Sequence, residues 1–181
     1  MTNNALRLVE TKQMNRADWL QLRRQGIGSS DAASAVGLNP YCSPLQLWLE
    51  KTNGDDSDDS PSDAAYWGTV LEPIVADEYA RRTGCKVRKV NAVLQHRDQP
   101  FMLANLDREV VGHNDGPGIL ECKTCGAFAA KAWAEGVPKW YQIQVLHQLA
   151  VTGRAWADVA VLIAGQSFQI HRIERDPPLS G

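Results

Sequence analysis

Apolar residues recur at helical spacing through the first half of the chain. Trp19 and Leu22 fall on one face of such a segment, and Asn15, with Asp18 three residues later, is a typical N-cap for it. The pattern predicts helices over 15–25, 29–37, 43–54 and 64–83. The last of these contains Pro73, which predicts either a kink or a later start of that helix.

The second half of the chain changes character after Gly84. Short segments rich in β-branched residues, often alternating with polar ones, predict strands over 86–95, 101–107, 108–112, 119–124, 156–164 and 168–174. Two helices interrupt them, one near 127–135 and a longer one that Pro138 opens and that runs to 152. Helices first and then strands mixed with helices predict a mixed α/β or α+β fold.

Composition agrees with a globular domain. The chain has 181 residues, of which 44% are hydrophobic and 22% charged, and this length predicts a single domain over 1–181. Five aspartates lie within 53–63, which predicts a disordered, solvated acidic loop. Without these five charges the formal net charge changes from −2 to +3, so the remainder is mildly basic and compatible with a polyanionic partner.

Apolar segments and cysteines give information on the cellular compartment of the protein. The chain has no apolar run of the roughly 20 residues that a membrane helix needs, and residues 1–10 contain no apolar signal core, which predicts a cytoplasmic protein. In that compartment the four cysteines are expected to be reduced. Cys122 and Cys125 form an isolated C-x-x-C without a second ligand pair, which is not typical of a structural zinc site.

Candidate chemistry centres on Glu121-Cys122-Lys123 in a predicted strand. Because side chains alternate along a strand, Glu121 and Lys123 project from one face and Cys122 from the other. Asp107 ends a strand fourteen residues earlier, and a hairpin or meander would bring it alongside Glu121. Two carboxylates suit Mg²⁺ or Mn²⁺, and a nearby ammonium can orient a water. The alternative is an ordinary surface ion pair across strands.

Polar residues also share one face of the helix after Pro138. Tyr141, Gln144 and Gln148 stand at positions i, i+3 and i+7, so they lie in one row along the helix. Apolar residues flank this row, which is unusual for a core-facing helix. The row is either the solvent face of the helix or a polar face turned towards a site.

An anion site is a further candidate near the predicted helix starts. Arg23 precedes Ser29 and Ser30, so a guanidinium, hydroxyls and backbone N–H groups could converge on an anion. Helix capping alone would also explain the two serines.

Together these segments resemble the lambda-exonuclease-type (YqaJ-like) viral recombinases of the PD-(D/E)xK nuclease superfamily. The resemblance covers residues 19–174 and implies a restriction-endonuclease-like core, with a central mixed β-sheet flanked by helices and a helical N-terminal part. The segments that carry it, in order, are Leu22-Arg23-Arg24, Ile27-Gly28-Ser29-Ser30-Asp31-Ala32, Trp67-Gly68 with Glu72, Ala104-Asn105-Leu106-Asp107, Leu120-Glu121-Cys122-Lys123, and Tyr141 with Gln144.

The resemblance also implies roles for matching residues. Asp107 and Glu121 would bind the divalent metal, and the backbone carbonyl of Cys122 would be a further ligand. Glu72 would support a second metal ion, Lys123 would position the attacking water, and Gln144 would help to hold it. The residues that would bind DNA and its 5′-terminal phosphate are Arg23, Ser30, Asn105 and Tyr141.

The function implied is a 5′→3′ exonuclease acting on double-stranded DNA. It would release mononucleotides from 5′-phosphorylated ends and leave 3′ single strands, using Mg²⁺, for which Mn²⁺ can substitute, with two ions per site. A phosphodiester repels hydroxide, so such ions would both neutralise charge and lower the pKa of a bound water. The resemblance further implies a ring-shaped homotrimer and a single-strand-annealing protein as partner, in a phage or prophage protein of a bacterial host.

The sequence departs from the family pattern in three places. Leu106 replaces the proline of the signature, Asn105 stands where a serine can occur, and the sequence stops soon after Pro178, where relatives continue into a helix. Two alternatives stay open. An iron–sulfur CRISPR-associated exonuclease would need further cysteines after Cys125, and a DNA-end-binding or scaffold protein would use the same fold without activity.

Overall fold

The computed structural model describes residues 5–53 and 62–175, and in these ranges eight strands form two sheets. The strands are β1 (Ala5–Glu10), β2 (Lys86–Arg88), β3 (Ala92–His96), β4 (Leu103–Ala104), β5 (Arg108–Val111), β6 (Gly118–Cys125), β7 (Trp156–Ile163) and β8 (Ser167–Glu174). The larger sheet is mixed, with strand order β2-β5-β6-β7-β8, and the smaller one is antiparallel, with order β1-β3-β4. The predicted acidic loop lies almost wholly outside the described residues.

The helices begin and end at recognisable signals. The helices are α1 (Arg16–Arg24), α2 (Ala32–Ala35), α3 (Pro44–Thr52), α4 (Asp63–Thr83) and α5 (Lys139–Thr152), with 3₁₀-helices at Ser29–Asp31 and Ala127–Trp133. Ser43 caps α3 reciprocally with Gln46, and α4 runs through Pro73 as one continuous helix, so this helix does not start late. Gly84 and Gly153 end α4 and α5 in the left-handed conformation that favours glycine.

The larger sheet lies between two helices. Leu120 of β6 packs with Val75 and Tyr79 of α4, whereas Ile119 of the same strand packs with Val145 and Leu149 of α5 and their neighbours. Helix α5 is the crossover between β6 and β7, which are parallel, so its inward face runs along β6. This arrangement sets the position of every side chain that alternates along β6. The predicted central mixed sheet flanked by helices is confirmed.

Two predictions about elements were wrong in detail, and one strand was not predicted. Strand β1 was not predicted, because its pairing with β3 is a contact distant in sequence and leaves Leu6 and Leu8 exposed. The predicted strand over 86–95 is two strands in different sheets, since β2 pairs with β5 and β3 with β1 and β4. The segment 127–135 forms a 3₁₀-helix, Ala127–Trp133, instead of an α-helix.

The helices of the described ranges are all too short or too polar to cross a bilayer.

Candidate active site

Two charged side chains of strand β6, Glu121 and Lys123, face helix α5. Ile119 belongs to the core on the α5 side and Leu120 to the core on the α4 side, so alternation turns Glu121 and Lys123 towards α5. The side chain of Cys122 packs on the α4 side. The Glu121 side chain is only 3% exposed and lies 2.8 Å from the Lys123 ammonium, as measured from Oε1 to Nζ. This pair is therefore buried and is not an ordinary surface ion pair.

Asp107 joins this strand from the segment between β4 and β5. Its Oδ2 accepts a hydrogen bond of 2.8 Å from the backbone N–H of Cys122. That bond holds the Asp107 carboxylate beside the residue that follows Glu121. The predicted convergence of the two acids is thus present in the fold.

Helix α5 turns its row of polar residues inwards. Gln144 Nε2 donates to Glu121 Oε1 at 2.5 Å, and Gln148 Nε2 donates to Glu121 Oε2 at 2.7 Å. Gln148 is fully buried and also donates to the backbone carbonyl of Asn105 at 3.2 Å. Both oxygens of Glu121 are therefore held by amides, and the row is not a solvent face.

Lys123 is held as a cation. Its Nζ donates to Gln144 Oε1 at 3.1 Å and lies 4.6 Å from the centre of the Tyr141 ring. Burial favours the neutral amine, but the negative charges of Glu121 and Asp107 outweigh it and hold the pKa of Lys123 above its usual value. Lys123 is therefore suited to donating hydrogen bonds and stabilising negative charge, not to accepting a proton.

The two carboxylates repel each other. Burial, followed by the negative charge of Glu121, raises the pKa of Asp107 to about 8. A divalent cation bound by both carboxylates would remove this repulsion, and carboxylate oxygens are the ligands that Mg²⁺ and Mn²⁺ prefer. The donor set of Asp107 and Glu121 therefore fits a hard divalent cation.

A pocket of about 150 Å³ connects these acids to the predicted anion site. Arg23, from the last turn of α1, lies with its guanidinium 4.8 Å above the Trp19 ring, and its Nη2 donates to Ser30 Oγ at 3.3 Å. The pocket lining thus combines two carboxylates with a guanidinium and a hydroxyl. Its polar lining residues include Arg23, Ser29, Ser30, Asn105, Asp107, Glu121 and Gln144.

Three predicted site residues lie beside this pocket but do not line it. Glu72 of α4 pairs with Arg108, whose Nη1 lies 2.5 Å from Glu72 Oε1, so this carboxylate is engaged away from the pocket lining. Tyr141 packs between Lys123 and Trp133 and does not line the pocket. Lys123 also lies outside the lining and reaches it through Glu121 and Gln144. Over 5–53 and 62–175, no three His, Cys, Asp or Glu side chains form a metal-binding group, which gives no support to an iron–sulfur site there.

Three residues without a predicted role hold the site residues from behind. Gln148 stood in the polar row of α5, and its spacing from Gln144 was a usable signal. Asp31, which binds Arg23, lay within a quoted motif without an assigned role. Lys51, which binds Asp31, carried no signal, because a lysine in the last turn of a helix is ordinary.

Comparison with known sequences identifies relatives. Residues 18–155 match the model of the YqaJ-like viral recombinase domain. The uncharacterized protein YqaJ of Bacillus subtilis (strain 168) is 46% identical over 175 residues, which cover 95% of this chain and 54% of that protein. The chain therefore spans about half the length of this relative.

Comparison with solved structures shows a shared fold. The alkaline exonuclease LHK-Exo from Laribacter hongkongensis has a TM-score of 0.67 and 24% identity, covering 88% of this chain and 82% of that chain. LHK-Exo in complex with dAMP gives a TM-score of 0.66 at 24% identity, over 88% and 83% of the two chains. A phage-related exonuclease from Haemophilus somnus 129PT has a TM-score of 0.59 and 13% identity, over 87% of this chain and 88% of that chain.

Asp107→Asn tests the cost of a charged Asp107, which comes first from burial and then from the negative charge of Glu121, without reference to any activity. The pKa of Asp107 is about 8 in the folded protein, against about 3.9 for an unfolded aspartate. Stability is therefore lost as the pH rises from about 4 to about 8, and the whole cost is present above pH 8. In EDTA at about pH 9, we expect the substitution to raise the free energy of unfolding by about 1–3 kcal/mol, measured by urea denaturation.

At about pH 5, where Asp107 is protonated, the gain should largely vanish. Asp98→Asn, at an exposed aspartate, is the matched control and should change stability little at either pH. An Asp107→Asn protein that is no more stable than the wild type at about pH 9 would contradict this cost of a charged Asp107.

Proposed function

Because the chain belongs to the YqaJ-like viral recombinase domain family, we propose that it is a metal-dependent exonuclease that degrades double-stranded DNA from 5′-phosphorylated ends. One observation carries this proposal: the pocket that holds Asp107 and Glu121 also holds Arg23 and Ser30. A terminal phosphate bound by Arg23 and Ser30 would leave the first phosphodiester of that strand next to the acid pair. An internal phosphate has no free end to place there, so cleavage would start from an end.

The acid pair would hold the metal. An ion bound by Asp107 and Glu121 would neutralise phosphate charge and lower the pKa of a bound water. In the proposal the backbone carbonyl of Cys122 is a further ligand, beside the N–H that already binds Asp107.

The neighbouring residues would position the reacting groups. Lys123, held as a cation, would donate to a phosphate oxygen on which negative charge builds up. Gln144 forms hydrogen bonds with both Lys123 and Glu121 and would help to hold the nucleophilic water between them. Tyr141 would support the Lys123 ammonium through its ring.

The ion is Mg²⁺ in this proposal, and Mn²⁺ substitutes for it. Asp107 and Glu121 account for one ion. A second ion would require Glu72 to exchange Arg108 for the ion or for its bound waters.

The products proposed are mononucleotides and a 3′ single strand. A fold shared with LHK-Exo, a protein crystallised with dAMP, supports a nucleoside monophosphate as the product class. The proposal extends to a ring-shaped homotrimer that encircles DNA and to a single-strand-annealing protein that receives the 3′ strand. The family name, with its reference to recombination, supports this last step.

A DNA-end-binding protein without nuclease activity is the second candidate. The observation that favours it is the ion pair of Glu72 with Arg108, together with the three donors that already occupy Glu121. Such a protein would bind the same DNA ends through the same pocket. The two candidates differ only in whether the bound DNA is cleaved and mononucleotides are formed.

Incubation of linear duplex DNA with Mg²⁺ separates the two candidates. We expect the wild-type protein to release mononucleotides from 5′-phosphorylated duplex, and Lys123→Ala to reduce the rate at least about a hundredfold, because the charge that develops on phosphate loses its cation. Lys131→Ala, at an exposed lysine of the 3₁₀-helix Ala127–Trp133, is the matched control and should keep the wild-type rate. Binding of DNA ends by both proteins without release by either would favour the second candidate.

Arg23→Ala tests the phosphate end of the pocket. We expect this variant to lose most of the preference for 5′-phosphoryl over 5′-hydroxyl ends, while slow cleavage persists because Asp107, Glu121 and Lys123 remain. The measurement is the ratio of kcat/KM for two duplexes that differ only in the terminal phosphate. An unchanged ratio would show that Arg23 does not bind the terminal phosphate.

A further inference from the structure

Asp31 is a buried carboxylate at which two cations meet. Arg23 Nη2 lies 2.8 Å from its Oδ1, and Lys51 Nζ lies 2.6 Å from its Oδ2. The backbone N–H of Gly28 also donates to Oδ2, at 2.9 Å. Asp31 is only 6% exposed, so solvent screens these interactions weakly.

Lys51 reaches this carboxylate from a different helix. It stands in the last turn of α3, its side chain is 15% exposed, and its Nζ also donates to the backbone carbonyl of Arg23 at 2.7 Å. Lys51 therefore ties α3 both to the backbone of Arg23 and to the acid that orients the Arg23 guanidinium. It does not line the pocket itself.

The sum of charges decides what this group offers to an anion. Arg23 paired with Asp31 alone would be electrically neutral. With Lys51 present, the three side chains carry a net charge of +1, and the positive end that faces the pocket is the Arg23 guanidinium. Burial opposes ionisation of Asp31, but Arg23, Lys51 and the Gly28 N–H outweigh it and hold the pKa of Asp31 below its usual value, so its negative charge is present at neutral pH.

We propose that Lys51 is a specificity-determining residue, which cancels the charge of Asp31 and so leaves Arg23 with a net positive charge for a terminal phosphate dianion. This inference rests on the proposed function, because it concerns selection between phosphorylated and unphosphorylated DNA ends. Asp31 orients Arg23, and Lys51 removes the electrostatic penalty that this orientation brings. A 5′-hydroxyl end has no dianion to gain from the extra charge, so Lys51 affects only the phosphorylated end.

Lys51→Met tests the inference through the ratio of kcat/KM for 5′-phosphoryl and 5′-hydroxyl duplexes. We expect the ratio to fall about tenfold, since a full charge near a dianion is removed at low exposure. The loss should lie in the reaction of the phosphorylated duplex, while the rate on the 5′-hydroxyl duplex stays within about twofold. Lys131→Met removes the same charge from an exposed position and should leave the ratio unchanged.

The double variant Asp31→Asn with Lys51→Met distinguishes charge from packing. It restores the net charge of +1, because Arg23 is then the one ionised member of the three, and the substituted amide oxygen can still accept from the guanidinium. We expect it to recover part of the phosphate preference lost in Lys51→Met. A purely structural role would predict a further loss, since a second contact is removed. The double variant also has no buried carboxylate that has lost its lysine, so it keeps the test valid if Lys51→Met fails to fold, as judged by thermal denaturation.

The outcomes separate this inference from the proposed function. A wild-type protein without preference for phosphorylated ends would overturn the proposed pocket, and the inference with it. A wild-type preference that Lys51→Met retains in full would overturn the inference alone. A folded double variant whose ratio is as low as that of Arg23→Ala would also overturn it, because the restored net charge would then have no effect.

Discussion

A hydrogen bond from the backbone of β6 holds the carboxylate of Asp107 close to a second buried acid, Glu121. The backbone N–H of Cys122 in β6 donates to Asp107. Alternation along the same strand turns the preceding residue, Glu121, towards α5. Glu121 in turn is fixed by an ammonium and two amides, which compensate for its burial. The cost of keeping Asp107 buried and beside Glu121 is expressed as a raised pKa. Strongly shifted pKa values of this kind cluster at functional sites.

The topology links this acid pair to the rest of the pocket. Because β6 and β7 are parallel, a crossover helix must connect them, and α5 brings Gln144 and Gln148 along β6. Gln148 also binds the carbonyl of Asn105, so the pocket wall and the acid pair share one buried amide. At the other end, Asp31 organises Arg23 and Lys51 from two separate helices. One pocket therefore contains both the acid pair and the Arg23 guanidinium.

The predictable part of the site is the part with local periodicity. Alternation along β6 assigned Glu121 and Lys123 to one face, and helical spacing placed Gln144 and Gln148 in one row. Neither strand alternation nor helical spacing shows which element packs against a given face. Whether the polar face of α5 pointed to solvent or to a site therefore stayed open. Contacts distant in sequence gave no signal at all: β1 pairs with a strand more than eighty residues later, Glu72 binds Arg108, and Lys51 reaches Asp31. The family resemblance implied a role for Arg23, but not its contact with Asp31 or the contact of Asp31 with Lys51.

The most direct test of the acid pair as a metal site is a crystal structure of the protein grown with Mn²⁺ at about pH 8, with anomalous scattering used to locate the ion. The account predicts an anomalous peak bridging the carboxylates of Asp107 and Glu121, at about 2.0–2.3 Å from an oxygen of each. Mn²⁺ bound elsewhere, with Glu121 still held by Lys123, Gln144 and Gln148, would contradict it.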